Sequence, residues 1–302
     1  MEYSIEVKHL VKKYRDVTAL DDVSFNVKKG EIFSLLGPNG AGKTTTINIL
    51  TTLTQQTSGS AKVGGIDVLK DPISVKAKIG WVSADIILDE DLTTMENLHL
   101  QARLQGTKDW KTKALGLLKT FGILESANKR IGKFSTGMRK KVEIAMALIS
   151  DPEIIFMDEP TIGLDVATRQ MLWDLIRDVN KNHGKTILLT THYMEEADEL
   201  TDRIAIINKG KIVAIGTPSE LKNKVGGTIL DLELLPSLSE TLPQKITSPF
   251  GGTVFMSLSS FIIFSSASIT FFLLFLSFMF DAVLFSSKSC ALTMSRLKPD
   301  GT

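Results

Sequence analysis

The chain has almost no cysteine and almost no net charge. Cys290 is its only cysteine in 302 residues, so no disulfide can form within the chain. It carries 35 basic and 34 acidic residues, for a formal net charge of +1. A balance this even creates no global field that would attract nucleic acid or an acidic substrate, and we expect no nucleic-acid partner. The N-terminus has acidic side chains and no apolar segment, so we expect no signal peptide and a domain that folds in the cytosol.

Charged residues are absent from residues 254–280, and most of the 15 phenylalanines lie from Phe250 onward. A membrane-spanning helix needs about 20 predominantly apolar residues, so this stretch is long enough to form one. Its many serines are less typical of such a helix than leucine, isoleucine and valine. We weigh two interpretations of the Phe/Ser-rich tail, residues 250–302: a membrane span, or an aberrant end produced by translation through a frameshift or past a damaged end. We favour the second.

The rest of the chain has the hydrophobic periodicity of an α/β domain. Residues 5–7 alternate between apolar and polar, which predicts a half-buried edge strand, and a second strand is predicted near 23–27. The apolar run 32–36 is short enough for a buried strand. We expect a helix to follow it over about 43–53.

Helical periodicity takes over at about 94–150 and predicts three helices, which we interpret as a helical subdomain inserted at about 88–150. Four further strands are predicted at 154–157, 186–189, 204–207 and 212–215. A helix at about 167–182 joins the first two into a βαβ unit, which predicts a mostly parallel sheet. The alternating residues 229–235 begin a small accessory region at 226–249.

A glycine-rich segment follows the predicted strand 32–36 and precedes the predicted helix. Residues 37–44, GPNGAGKT, fit the pattern G-x-x-x-x-G-K-[ST] in full, in the strand–loop–helix context that confirms a phosphate-binding loop. N–H groups at a helix N-terminus favour negative charge, and glycine lets the backbone approach phosphates closely. We therefore assign nucleotide binding to Gly37, Pro38, Asn39, Gly40, Ala41, Gly42, Lys43, Thr44 and Thr45. Lys43 should reach the β- and γ-phosphates, and the Thr44 hydroxyl should bind Mg²⁺.

Two carboxylates end the apolar segment IIFMDE at 154–159. The carboxyl end of a sheet strand is where ligands bind in open α/β folds. Asp158 is placed to hold Mg²⁺, directly or through water, and Glu159 to orient or deprotonate the attacking water. Because a phosphate loop precedes them, we prefer this interpretation to a solvated loop after a strand.

A second Ser/Gly segment, FSTGM at 134–138, precedes a predicted helix that begins with three basic residues. Ser135 is expected to cap this helix. Its hydroxyl, together with nearby N–H groups and the helix dipole, is also a candidate ligand for a γ-phosphate. We expect the basic residues 139–141 to form a solvated surface.

Three single residues complete the candidate site. Tyr14 precedes the phosphate loop and is able to stack on adenine. Asp165 closes a Gly-Leu-Asp turn, and His192 follows an apolar strand and precedes a helix. Taken alone, each has an ordinary explanation: packing for the tyrosine, a turn for the aspartate, and a cap or surface position for the histidine.

The order of these segments resembles the nucleotide-binding subunit of ATP-binding cassette (ABC) transporters over about residues 3–225. The resemblance lies in GPNGAGKT, FSTGM, IIFMDEP, GLD and TTH, and it is strongest for the exporter branch that includes daunorubicin-resistance ATPases. It implies a phosphate-loop fold with an antiparallel β portion near the N-terminus. It also implies a head-to-tail dimer, formed with a second copy of the chain or with a paralogous ATPase.

By the same resemblance, each ATP would lie between Lys43 of one subunit and the second Ser/Gly segment of the other, contributed by Ser135, Thr136 and Gly137. Glu159 would be the catalytic carboxylate, and His192 the switch that contacts the γ-phosphate. Asp165 would communicate across the dimer, and Tyr14 would stack on the adenine.

The chain departs from this family at two motif positions. After the strand near 79–82 the family has a glutamine that contacts Mg²⁺ and passes the nucleotide state to the membrane partner, whereas this chain has Ala84. We predict that ATP binding survives and that hydrolysis or coupling is weakened, unless Asp85 supplies a substitute oxygen. Thr136 stands where the family more often has glycine, and its side chain is expected to crowd the partner's phosphate slightly.

These observations predict an ATPase domain at residues 1–225 that binds ATP and Mg²⁺ and powers export through a separate membrane permease. We expect it at the cytoplasmic face of the cell membrane, with insertion of the tail as an open alternative. Two other functions stay open. One is a non-transport ABC ATPase of translation or DNA repair, which would normally carry two cassettes or a long coiled coil. The other is a degraded copy that binds ATP but couples poorly.

Overall fold

The computed structural model describes residues 3–85, 87–225, 245–247, 253–257 and 260–263. The alternating residues 229–235, which begin the predicted accessory region, and most of the Phe/Ser-rich tail lie outside the described residues. The chain divides into two units, residues 1–221 and 222–302, and each is considered by itself.

The described residues of the first unit form ten strands and seven complete α-helices, and an eighth α-helix crosses the unit's boundary. The strands are β1 Tyr3–Tyr14, β2 Val17–Lys28, β3 Ile32–Leu36, β4 Ser58–Val63, β5 Ile66–Asp67, β6 Ile79–Val82, β7 Ile154–Asp158, β8 Thr186–Thr191, β9 Arg203–Asn208 and β10 Lys211–Gly216. The helices are α1 Lys43–Leu50, α2 Pro72–Lys78, α3 Thr94–Leu104, α4 Trp110–Thr120, α5 Thr136–Leu148, α6 Val166–His183, α7 Met194–Leu200 and α8 Pro218–Val225.

A six-stranded sheet in the order β10-β9-β3-β8-β7-β6 forms the centre of this unit. Its strands from β9 to β6 are parallel, and only β10, at the edge, runs antiparallel to its neighbour. β3, β7 and β8 are buried along their whole length, as expected of continuous apolar runs in a parallel sheet. The mostly parallel sheet and the βαβ unit of β7, α6 and β8 are therefore confirmed.

An antiparallel sheet in the order β2-β1-β4-β5 lies at the N-terminal side of the sequence. β1 is an interior strand, so the prediction that residues 5–7 belong to an edge strand is wrong. Val7 pairs with Phe25 on one side and with Ala61 on the other. The second neighbour went unrecognised because β4 has the sequence SGSAKV, whose glycine and serines are depleted in or neutral for strands.

Both faces of the central sheet are covered by apolar side chains. Phe156 and Leu188 face a core shared with β1, β2 and α1, whereas Met157 and Leu189 face a core shared with α5 and α6. Residues one apart in a strand point to opposite faces, so this two-sided burial follows directly from strand geometry. The sheet is held rigidly in the middle, with its carboxyl edge free to carry functional groups.

The three predicted helices of the inserted subdomain are present as α3, α4 and α5. Helix α1 begins at Lys43 as predicted but ends at Leu50 rather than near Leu53. Thr52 has a φ of 63°, in the left-handed region, and a residue in that conformation ends a helix.

In the second unit, three strands form an antiparallel sheet in the order β11-β12-β13: Lys245–Thr247, Thr253–Ser257 and Ser260–Ile263. β12 and β13 open the uncharged stretch 254–280, so the described start of that stretch is extended rather than helical. Nowhere in the described part of the chain is a helix both long and apolar enough to cross a membrane.

Candidate nucleotide-binding and hydrolysis site

The phosphate loop connects β3 to α1 at the carboxyl edge of the central sheet. Gly40 and Gly42 have φ values of 77° and 110°, a region that side chains disfavour. A Cβ at Gly37 would lie 2.2 Å from the carbonyl oxygen of Ile207, so that position has no room for a side chain. The sequence therefore folds into a tight loop whose exposed part, residues 38–40, leads directly into the N-terminus of α1.

Lys43 is buried, and its ammonium group is held by the loop itself. Its Nζ donates to the carbonyl oxygens of Gly37, at 2.8 Å, and Pro38, at 3.2 Å. It also lies 3.1 Å from Oε1 of Glu159. Thr44, the next residue, is exposed, and Thr45 is half-buried. The structure thus brings the predicted phosphate ligand and the predicted catalytic carboxylate into direct contact.

The two predicted carboxylates stand at the end of β7, beside Thr190 of β8. The Thr190 hydroxyl donates to Oδ1 of the buried Asp158 and accepts from the Glu159 N–H at 3.0 Å. The Glu159 N–H also donates to the Thr190 carbonyl oxygen at 3.1 Å. Glu159 has a φ of 46°, a left-handed conformation that is strained for a residue with a side chain. Thr190 therefore holds the Asp158 carboxylate and the Glu159 backbone in place from the neighbouring strand.

His192 lies on the other side of Glu159. Its Nδ1 is 3.1 Å from Oε2 of Glu159, and its ring packs against the ring of Tyr193 at 4.1 Å between centroids. The guanidinium of Arg169 lies over the Tyr193 ring, 4.6 Å from its centroid. Glu159 is thus placed between two basic groups, Lys43 and His192, with its two carboxylate oxygens directed one to each.

The second Ser/Gly segment caps α5 as predicted. Ser135 Oγ accepts from the N–H of Met138 at 3.3 Å, and Gly137 is buried against Thr168 of α6. Asp165 caps α6 in the same way, accepting from the N–H of Thr168 at 2.9 Å and from its hydroxyl at 2.6 Å. These bonds, from the hydroxyl first and then the N–H, lower the pKa of Asp165 below its usual value.

The two capped helix ends are therefore neighbours, and Ser135 and Thr136 are exposed beside Asp165. Within the part of the chain that the structure describes, the hydrogen bonds of Ser135 stay inside its own helix. The structure brings Lys43, Asp158, Glu159 and His192 into one cluster. It brings Ser135, Gly137 and Asp165 into a second one.

Tyr14 ends β1, at the hairpin that leads into β2. Its side chain is exposed, and the Lys12 ammonium lies over its ring at 4.6 Å from the centroid. An exposed aromatic face at this position is able to receive a planar base.

The segment that carries Ala84 begins at the carboxyl end of β6. Val82 pairs with Met157, so this segment leaves the sheet beside the strand that ends in Asp158. Ala84 is half-buried and Asp85 is exposed. Neither side chain is hydrogen-bonded to Asp158 or Glu159 among the described residues.

Sequence reasoning missed three groups near the site. Thr190 lies just beyond the strand predicted at 186–189, and no role is predicted for it, although a polar residue at the carboxyl end of a strand is an available signal. Glu196 of α7 is fully buried and accepts from the Thr161 hydroxyl at 2.7 Å and the Trp173 indole N–H at 3.1 Å. Nothing local in the sequence marks it.

The third missed group corrects an expectation. Residues 139–141 were predicted to form a solvated surface, but Lys140 is only 2% exposed. Its ammonium lies 2.7 Å from Oε2 of the buried Glu143. Three consecutive basic residues are typical of an exposed surface, but Lys140, the middle one, faces inward.

The chain matches the family model for ABC transporters over residues 20–162. It is 44% identical over 218 residues to a doxorubicin resistance ATP-binding protein, DrrA, of Mycobacterium tuberculosis, covering 72% of this chain and 66% of that protein, just under two thirds. It is 40% identical over 248 residues to a daunorubicin/doxorubicin resistance ATP-binding protein, DrrA, of Streptomyces peucetius, covering 81% of this chain and 74% of that protein. The chain belongs to the ABC transporter family.

Solved structures agree with this assignment to the ABC family. An ATP-binding subunit of an ABC transporter is 31% identical, with a TM-score of 0.66, covering 74% of this chain and 93% of that one. The cassette MJ0796, solved as a dimer in a post-hydrolysis state bound to ADP and Pi, is 29% identical, with a TM-score of 0.64, covering 71% and 98%. The predicted family and the phosphate-loop α/β fold are confirmed.

Proposed function

We propose that this chain binds ATP with Mg²⁺ and hydrolyses it to power the export of a substrate through a separate membrane permease. One observation carries the proposal: Lys43, Glu159 and His192 meet at the carboxyl edge of a parallel sheet, where such folds bind ligands. The similar proteins named for resistance to doxorubicin and daunorubicin support an exporter.

The donor set fits Mg²⁺. This ion prefers oxygen ligands, often one or two from the protein, and keeps several waters. The Thr44 hydroxyl is exposed at the start of α1, and Asp158 has carboxylate capacity beyond the oxygen that accepts from Thr190. We assign these two residues to the ion, which would neutralise charge on the phosphates.

We assign the chemistry to the cluster around Glu159. Lys43 would exchange its bonds to the loop carbonyls for bonds to the β- and γ-phosphates, while N–H groups of the loop after Pro38 surround them. Releasing Lys43 would leave Glu159 free to orient or deprotonate the attacking water. His192, already bonded to Glu159, would contact the γ-phosphate and sense its presence. Tyr14 would stack on the adenine.

We propose that the active unit is a head-to-tail dimer, with a second copy or a paralogous ATPase. The exposed, capped N-terminus of α5 supports this because its N–H groups and Ser135 hydroxyl are available to an anion on another chain. Ser135, Thr136 and Gly137 would complete the partner's site, and the adjacent Asp165 would report across the interface. MJ0796, solved as a dimer, supports a dimeric unit.

The permease would bind in a groove between the central sheet and the helical subdomain. Trp81, Ile87 and Leu104 line it, and their side chains are exposed and apolar. Contiguous exposed apolar surface is typical of a protein-binding site. We therefore place the chain on the cytoplasmic face of the membrane, peripheral to its permease.

Glu159→Gln tests this function because it keeps the side-chain shape and removes the base. We expect the purified variant to bind ATP, to lose turnover and to form a stable dimer with excess ATP, measured by light scattering after gel filtration. Glu125→Gln, at an exposed carboxylate away from the site, is the matched control and should behave as the parent. A variant that stays monomeric at saturating ATP would refute the sandwiched dimer. A parent with ATP binding but no turnover would favour the degraded copy.

A further inference from the structure

Helix α5 contains a buried ion pair that the proposed hydrolysis mechanism does not use. Lys140 and Glu143 lie one turn apart, with side chains 3% and 7% exposed, and Nζ and Oε2 are 2.7 Å apart. Removing both charges from water costs each of them its hydration, so such a pair gives little net stability over apolar residues of the same volume. Burial raises the pKa of Glu143 above its usual value despite the adjacent ammonium.

Each member of the pair makes one further bond, and both go to the segment that follows β6. Lys140 Nζ donates to the carbonyl oxygen of Ser83 at 3.1 Å. Glu143 Oε1 accepts from the N–H of Ile87 at 2.9 Å. The two bonds fall on the two ends of the segment 83–87, so one ion pair fixes both of its ends to α5.

The two ends of that segment lie at two parts of the proposed site, the metal-binding end of β7 and the apolar groove. It begins beside the end of β7, because Val82 pairs with Met157, one residue before Asp158. It ends at Ile87, which lines the apolar groove and is 62% exposed. Helix α5 likewise begins at the Ser135 cap, five residues before Lys140. The pair therefore connects α5, by hydrogen bonds, to Ser83 just after β6 and to Ile87 in the groove.

We propose that Lys140 and Glu143 act as positioning residues that clamp Ser83 and Ile87 to α5. A shift of the N-terminus of α5, when it engages a nucleotide on the other subunit, is carried by this clamp to Ile87 and the groove. Ala84 has no side-chain oxygen that could bind the proposed Mg²⁺ ion. In this chain, Ser83 and Ile87 are instead held by their bonds to Lys140 and Glu143 of α5. The inference rests on the proposed composite site and groove.

Single substitutions are poor tests, because each would leave one buried charge unpaired and threaten folding. The paired change Lys140→Met with Glu143→Leu removes both charges and both bonds to the segment, and keeps an apolar filling. Lys140→Gln with Glu143→Gln also removes the charges but keeps an amide oxygen to accept from Ile87. Lys211→Gln with Asp21→Asn removes an exposed pair elsewhere, at 3.0 Å, as the matched control.

The experiment measures amide hydrogen exchange with and without saturating Mg-ATP, in a Glu159→Gln background so that ATP is not consumed. In that background we expect ATP to slow exchange in the phosphate loop 37–45 and to alter exchange in 83–87 by roughly threefold or more. The Met/Leu pair should keep the first effect and lose the second. The Gln/Gln pair should retain part of the response in 83–87, and the control pair all of it.

The outcomes separate this inference from the proposed function. If ATP leaves the phosphate loop unprotected, nucleotide binding itself is wrong. If ATP protects that loop, the clamp is overturned by either of two results: no response in 83–87 of the background chain, or an undiminished response in the Met/Leu pair.

Discussion

The methyl group of Thr168 fills the space that a side chain at Gly137 would need. A Cβ at position 137 would lie 2.7 Å from Thr168 Cγ2, closer than real Cβ atoms approach. Thr168 cannot move away freely, because its N–H and hydroxyl are both bonded to Asp165. The N-termini of α5 and α6 are therefore packed against each other through a glycine.

Gly137→Ala should disturb both helix ends. Overpacking a close contact costs about 1–3 kcal/mol, which we expect as a loss in the free energy of unfolding measured by urea titration. Gly116→Ala is the matched control, because this glycine lies inside α4 with no atom within 4 Å of the added carbon. It should stabilise the chain by about 0.5–1 kcal/mol. Equal effects at the two positions would show that the contact with Thr168 is unimportant.

Thr190→Val should weaken the site without changing its shape. Valine removes the hydroxyl that donates to Asp158 and accepts from Glu159. An unsatisfied buried partner costs about 1–3 kcal/mol, so we expect lower stability together with a lower kcat for ATP hydrolysis. In Thr51→Val, the lost hydroxyl bonded only to carbonyls of the preceding turn, Ile47 and Asn48, so kcat should be unchanged. A normal kcat in Thr190→Val would remove Thr190 from the set of positioning residues.

The charge on Asp165 should contribute to stability only above acidic pH. Its pKa is lowered from 3.8 by the Thr168 hydroxyl and N–H. A carboxyl whose folded pKa lies below its unfolded value stabilises the fold above the unfolded pKa, and this contribution is lost as pH falls through the folded one. Asparagine keeps the capping oxygen without the charge.

We therefore expect the parent to have a higher Tm than Asp165→Asn from pH 7 to 5, with the difference shrinking as pH falls below 3.8. Thermal unfolding of both chains across this range measures it. Repeating the comparison in a Thr168→Val background removes the principal donor, and the pH dependence of the difference should decrease. A difference that is constant down to pH 3 would contradict the assignment.

Ala84→Gln should raise ATP turnover if the missing side-chain oxygen limits hydrolysis. A gain of about tenfold in kcat corresponds to about 1.4 kcal/mol of transition-state stabilisation, which is reasonable for one added ligand to Mg²⁺ or its water. Ala84→Leu adds bulk without an oxygen and is the control. If glutamine gives no gain and Asp85→Asn lowers turnover in the parent, the exposed Asp85 supplies the oxygen instead.

Much of the fold was predictable because local signals and tertiary structure agree. The apolar runs of β3 and β7 each end in a polar motif, and this alone placed Lys43, Asp158 and Glu159 at the edge of a sheet. What the sequence could not supply was which strand lies beside which. The role of Thr190 depends on its pairing with Asp158, and that pairing joins residues 32 positions apart.

The same limit explains the other errors. β1 reads as an edge strand because its second neighbour, β4, has no strand-like composition. Lys140 reads as a surface residue because one of its two partners, the carbonyl oxygen of Ser83, is 57 residues away in the sequence. Hydrophobic periodicity in the sequence predicts which apolar residues are buried, but it does not predict the burial of a charged residue.

The strand order β3-β8-β7-β6 sets the spacing of the proposed roles along one edge of the sheet. Neighbouring strands lie about 4.8 Å apart, so about 14 Å separates the ends of β3 and β6. In this order, the proposed roles are phosphate binding after β3, γ-phosphate sensing after β8, the two carboxylates at the end of β7, and the link to the permease after β6. These intervals depend on backbone pairing and not on which side chains stand at the strand ends. The side chain at one strand end can therefore differ, as at Ala84, without displacing the other three strand ends.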